Sequence, residues 1–148
     1  MSDYLVKVIP AEPEQVIANE VAGSIIEFLQ EKMKADEIGF HAADKPFFVD
    51  CGSNLEEIKC PLCGAVLDFG WWGGAMEEAG ENEFEDLSVT LPCCSQSSTL
   101  HNLEYHFPCG FARAEFVIRN PEKELSDEVV KQIEELAGLP VRVIHSHI

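Results

Sequence analysis

Two short cysteine clusters constrain this chain more than any other feature: Cys60-Pro61-Leu62-Cys63-Gly64 and Pro92-Cys93-Cys94, with 29 residues between Cys63 and Cys93. A two-residue spacer lets both sulfurs of the first pair face one ion, and Gly64 tolerates the positive φ that the tight turn needs. Two such pairs, carried on segments that a hairpin brings together, build a tetrahedral thiolate site in a small domain. The pattern therefore predicts a structural zinc ion (Zn2+) held by Cys60, Cys63, Cys93 and Cys94. Four protein ligands leave no position for water, so such an ion holds structure and does not react. Cys93 and Cys94 are adjacent, however, and on a regular strand their side chains would point to opposite faces. Either an irregular turn follows Pro92, or His101 replaces Cys94 as the fourth ligand. A redox dithiol at Cys60 and Cys63 would leave the second pair without a purpose. The deaminase pattern is absent, because His41 is followed by Ala42 and Ala43, and Cys93-Cys94 has no spacer. Cys51 and Cys109 read as solitary buried or turn thiols.

At 148 residues the chain fits one domain, or one domain with an insertion, and buries roughly 68–70% of its unfolded surface without needing disulfides. No apolar stretch approaches the ~20 residues of a membrane span, and no basic segment precedes an apolar run near Met1. The expectation is a cytoplasmic protein with no membrane association, where paired thiols stay reduced and mean metal more often than disulfide. Acidic residues outnumber basic ones 27 to 10, a formal charge of −17. Between Cys60 and Ala112 there is no Lys or Arg, yet there are eight acids: Asp68, Glu77, Glu78, Glu81, Glu83, Glu85, Asp86 and Glu104. Nucleic-acid binding needs cations to displace counterions, so this segment argues against a nucleic-acid partner. It suits a solvated face, or a docking surface for a basic protein.

Tyr4 to Ile9 is rich in β-formers and stops at Pro10, which predicts a first strand. Pro13 then opens a helix whose stripe of Val21, Ala22, Ile25, Ile26, Leu29 and Met33 runs to Lys34. Ser126 caps a second helix, with Leu125, Val129, Ile133, Leu136 and Ala137 on one face and Gly138 and Pro140 at its end. Val141 to His145 reads as a last strand. Between the helices, Leu100–Phe107 and Phe111–Arg119 read as a hairpin turning at Pro108-Cys109-Gly110. The resulting order predicts an α+β protein: a ferredoxin-like split βαβ core with one sheet face open, and an inserted zinc-ribbon-like β subdomain. The core comprises residues 1–35 and 96–148, and the zinc-binding insert residues 36–95. Within the insert, short strands are expected at 47–49, 57–59, 66–68 and 87–90, with a short helix from Trp71. Trp71 and Trp72 are expected to seal the insert against the core, and His145 and His147 to be terminal surface histidines.

The motifs CPxCG, WWG, PCC, the GFAR strand at Gly110-Phe111-Ala112-Arg113 and a closing VRVI strand resemble a group of uncharacterised bacterial zinc-ribbon proteins. The likeness spans roughly residues 47 to 148. It implies a bacterial origin and a zinc site, and no activity. Where that group carries Gly after the double cysteine, this chain has Ser95. The adjacent cysteines alone are also similar to those of the zinc-bundle N subunit of archaeal RNA polymerase. Together these readings predict a non-catalytic, acidic, zinc-stabilised protein that binds a basic protein partner, for instance as an inhibitor or immunity factor. The alternatives are a metal-dependent enzyme whose open zinc site uses His101 or His106, and a nucleic-acid-binding zinc ribbon.

Overall fold

A computed structural model describes residues 3–52 and 55–147. The elements run β1 (Tyr4–Pro10), α1 (Asn19–Lys32), β2 (Glu37–Val49), β3 (Glu57–Lys59), α2 (Phe69–Glu81), β4 (Ser88–Thr90), β5 (Ser97–Thr99), a 3₁₀ turn (Leu100–Asn102), β6 (Glu104–His106), β7 (Gly110–Arg119), α3 (Asp127–Ala137) and β8 (Val141–His147). The protein is α+β. No helix among the described residues is long and apolar enough to cross a membrane.

Four strands form one antiparallel sheet in the order β2-β7-β1-β8, so β1 and β7 are central. Central strands want apolar residues on both faces, and β7 alternates Ala112, Ala114, Phe116 and Ile118, all buried, with half-buried neighbours. Ala114, Phe116 and Ile118 join Val6 and Val8 of β1 against Ile25 and Leu29 of α1 and Ile133 of α3. The apolar stripe of α1 thus meets the sheet. Ile25 and Leu29 are fully buried, each worth about 1.5–3 kcal/mol relative to exposure. Helix α3 is closed at both ends: Ser126 Oγ accepts from the Val129 N–H at 3.2 Å, and Gly138 takes the left-handed φ of 71° past its last turn. Helix α1 begins at Asn19 rather than at Pro13. Glu12 and Gln15 instead close on each other in a turn, the Glu12 N–H donating to Gln15 Oε1 and the Gln15 N–H to the Glu12 carbonyl.

The main departure from expectation is the partner of β7. The segment Leu100–Phe107 does not fold back on it as a hairpin. Instead β2 pairs with β7 from Glu37↔Arg119 to Val49↔Gly110, with a register shift between Ala42 and Phe47. Residues 37–49, on the insert side of the expected boundary at 35/36, therefore belong to the main sheet. The bulge accommodates Lys45-Pro46 on an edge strand, where proline's missing N–H costs no ladder bond. The ladder available to β2 is far longer than the one the 100–107 segment could make. That segment divides: Leu100–Asn102 forms a 3₁₀ turn capped by Thr99 Oγ1, burying Leu100 and His101, while β6 pairs with β3.

The excursion from Asp50 to Cys109 packs on the sheet face away from α1 and α3. Ile58, Leu67, Leu91, Leu100 and Leu103 of the excursion form one buried cluster with Ile9, Phe111 and Ile144 of the sheet. That face, expected to be open, is therefore partly covered. Trp72 lies edge-on to Phe48 and donates its indole N–H to Tyr105 Oη at 3.1 Å, and Tyr105 in turn donates to the Leu100 carbonyl at 2.5 Å. The secondary structure of the excursion is short: β3–β6 and β4–β5 are three residues a strand, and Val66 makes an isolated bridge to Lys59 in place of a strand at 66–68.

Candidate metal centre

The two cysteine clusters fold into the same backbone turn, built twice. In the first, the Gly64 N–H donates to the Cys60 carbonyl (3.0 Å), the Cys60 N–H donates to the Ala65 carbonyl (2.8 Å), and Gly64 has φ 77°. In the second, the Ser95 N–H donates to the Leu91 carbonyl (2.9 Å), the Leu91 N–H donates to the Gln96 carbonyl (2.8 Å), and Ser95 has φ 59°. Superposing these patterns sets Leu91 against Cys60, Cys93 against Leu62, Cys94 against Cys63 and Ser95 against Gly64. The adjacency of Cys93 and Cys94 is thereby explained. They occupy neighbouring corners of a turn, not a strand, so both sulfurs can reach one point.

All four sulfurs lie within 4.8 Å of one another. Cys63 and Cys93 are 3.3 Å apart, and Cys60 and Cys94 are 3.8 Å apart. A tetrahedron with metal–sulfur bonds of about 2.3 Å has sulfur–sulfur edges of about 3.8 Å, so the cluster has the dimensions of a thiolate metal site. Cys60 is buried at its base, Cys94 is half-buried, and Cys63 and Cys93 lie on the solvent side. Burial opposes ionisation of Cys60, but the N–H groups of Cys63 (3.3 Å) and Leu62 (3.4 Å) aimed at its sulfur outweigh this and bring it down to about 6. Desolvation and then the sulfurs of Cys63, Cys60 and Cys94 push Cys93 up to about 12. One thiolate forms readily in this cluster, at Cys60, and its charge opposes ionisation of Cys93 and Cys94. A divalent cation removes that resistance.

The histidine alternatives do not reach this cluster. His101 is buried, with Nε2 donating to the Ala11 carbonyl at 2.6 Å and Nδ1 accepting from the Phe111 N–H at 3.0 Å. Both ring nitrogens are committed to backbone, the ring is neutral, and burial lowers its pKa. His101 is thus a core staple joining the 3₁₀ turn to β7 and to the segment after β1, not a ligand. His106 is exposed, stacked on Phe107 and 3.9 Å from Glu56. Tyr4 hydrogen-bonds His145 Nδ1 and packs on the His147 ring. Cys51 and Cys109 are not solitary. They sit in the same buried cluster, near enough to act on each other electrostatically, and burial raises the pKa of both. Register would have found this pair, since Val49↔Gly110 sets the two cysteines where the chain leaves and re-enters the sheet. No protein-family model matches this chain, and no curated protein or solved structure is significantly similar to it.

Proposed function

We propose that the protein is a non-catalytic binding module in which one structural zinc ion, held by Cys60, Cys63, Cys93 and Cys94, clamps an acidic insert that docks a basic protein. The observation that carries this reading is the closed set of four cysteine sulfurs within 4.8 Å. Thiolate-only sets favour zinc over harder divalent ions, and four protein donors saturate a tetrahedral ion, leaving no position for a reacting water. The strand order β2-β7-β1-β8, with α1 between β1 and β2 and α3 between β7 and β8, supports a ferredoxin-like split βαβ core, and the paired turns support a zinc-ribbon-like insert. The partner's basic character rests on charge. The segment from Cys60 to Ala112 carries eight acids and no Lys or Arg, and a zinc tetrathiolate adds two further negative charges. An inhibitor or immunity role against a basic target is one form such binding takes.

The test is affinity capture on the zinc-loaded chain, at low salt and then at rising ionic strength, beside a variant with Glu77, Glu78 and Glu81 changed to Lys. A basic protein that is retained, released by salt and lost in the variant supports the reading. A captured protein indifferent to salt and to the three charges contradicts it.

A further inference from the structure

Arg142 of β8 is half-buried, where a guanidinium normally needs a carboxylate partner. Among the described residues no carboxylate lies within ion-pair distance of it, and Glu12 acts on it only from farther away. Its Nη1 donates to the Cys109 carbonyl at 2.8 Å and the His101 carbonyl at 3.2 Å, and no side chain pairs with its Nε or Nη2. The placement is built. A Cβ on Gly110 would lie 2.8 Å from Arg142 Nη1 and 2.9 Å from His101 Cε1 and Nδ1, so only glycine leaves room for both side chains. His101 is itself pinned at both nitrogens, which fixes the carbonyl that Arg142 grips.

Arg142 lines a recess of about 430 Å³ between the β3–β6 pair and the sheet. Leu103, Pro108 and the ring of Tyr105 give it apolar walls, and Glu57, Lys59, Glu104 and His106 line its more exposed side. The volume suits a small ligand. With Nη1 held by backbone, the Nε/Nη2 edge is the fork left for bidentate contact.

We propose that this recess binds a small carboxylate, its two oxygens on the Nε/Nη2 edge of Arg142 and its apolar body against Leu103, Pro108 and Tyr105. Glu104 repels a dianion such as phosphate and welcomes a cationic group at the ligand's far end. Lys59 and Glu57 face each other at 3.7 Å and largely offset one another. A free amino acid and the C-terminus of a basic peptide share this chemistry. The site depends neither on the identity of the metal nor on the partner of the acidic insert.

The test is titration of the metal-replete, ¹⁵N-labelled full chain, read at the Arg142 Nε–Hε resonance. The probes are N-acetyl-lysyl-leucine, its C-terminal amide, N-acetyl-leucine, free leucine and inorganic phosphate. The free-acid peptide should shift the resonance saturably and the amide should not. Arg142→Lys keeps the charge but loses the fork, and should weaken binding by about tenfold or more. Glu104→Gln, on the exposed rim, should weaken N-acetyl-lysyl-leucine severalfold and spare N-acetyl-leucine, which keeps the proposal testable if Arg142→Lys does not fold. Free leucine binding as tightly as the peptide identifies a free amino acid as the source, and tighter peptide binding identifies a chain terminus. The proposal is overturned if no probe moves the resonance, if the amide binds like the acid, if phosphate binds as tightly, or if folded Arg142→Lys binds unchanged.

Discussion

The two halves of this molecule are held together by different physics. The four-stranded sheet with α1 and α3 rests on long ladders and on apolar side chains from helices and strands meeting in one layer. The excursion from Asp50 to Cys109 has strands of three residues, a glycine-rich helix and two sharp turns whose cysteines converge. Isolated pairs of such short strands are not stable alone. The sheet lends the excursion one wall of its core, through Ile9, Phe111 and Ile144, and the sulfurs close the other end. On the proposed zinc site, a few ligands would replace many weak contacts and let this region give up regular secondary structure.

On the proposed zinc site, the largest effect should come from taking the ion away. Structural zinc in small domains is worth about 10–16 kcal/mol of apparent binding energy, and that energy is folding energy. A strong chelator, or Cys60→Ser, should remove hydrogen-exchange protection from residues 57–106 and shift Trp71 and Trp72 emission, while β1, β7 and β8 stay protected. Loss of the sheet at the same step would show that the two halves are one cooperative unit.

Ile25→Ala tests the other half. The side chain is fully buried between α1 and the sheet, so the change should cost about 2–5 kcal/mol, read as a lowered denaturant midpoint. The sulfur cluster should still bind metal in the folded variant.

His101 lies where the halves join, and its effect is smaller. His101→Gln should cost about 1–3 kcal/mol for a backbone group left without its partner. Burial lowers the His101 pKa below its ordinary 6.5, so the unfolded chain takes up the proton more readily than the native one. The associated stability is complete above about pH 6.5 and is lost as pH falls through the lower native value. The stability gap between wild type and His101→Gln should therefore narrow on acidification, measured by urea unfolding across that window.

The smallest effect is expected at Ser95, a non-glycine residue with φ 59° where the matching turn has Gly64. Ser95→Gly relieves about 1–2 kcal/mol of left-handed strain against the added chain entropy of glycine, for a net gain of up to about 1 kcal/mol. It should raise the melting temperature slightly and leave metal content unchanged.

Much of this comparison was legible in the sequence. The spacing of the cysteines named the four residues that meet, and helical periodicity named the face of α1 that is buried. The true partner of β7 was hidden, because Ala42 to Pro46 breaks the alternation of β2 with a bulge that only the ladder explains. His101 was ambiguous for a related reason. A histidine seven residues after a cysteine pair has the spacing of a ligand, and only the backbone groups of Ala11 and Phe111 reveal it as a core residue. Cys51 and Cys109 looked isolated because their nearness depends on strand register, not on sequence separation.

The most direct test of the account is X-ray absorption at the zinc edge, combined with metal analysis of protein purified without added metal. The prediction is one zinc per chain with four sulfur neighbours at about 2.3 Å and no nitrogen or oxygen in the first shell. Chain without stoichiometric metal, or a shell holding three sulfurs or fewer with nitrogen or oxygen completing it, would contradict the closed clamp on which the account rests.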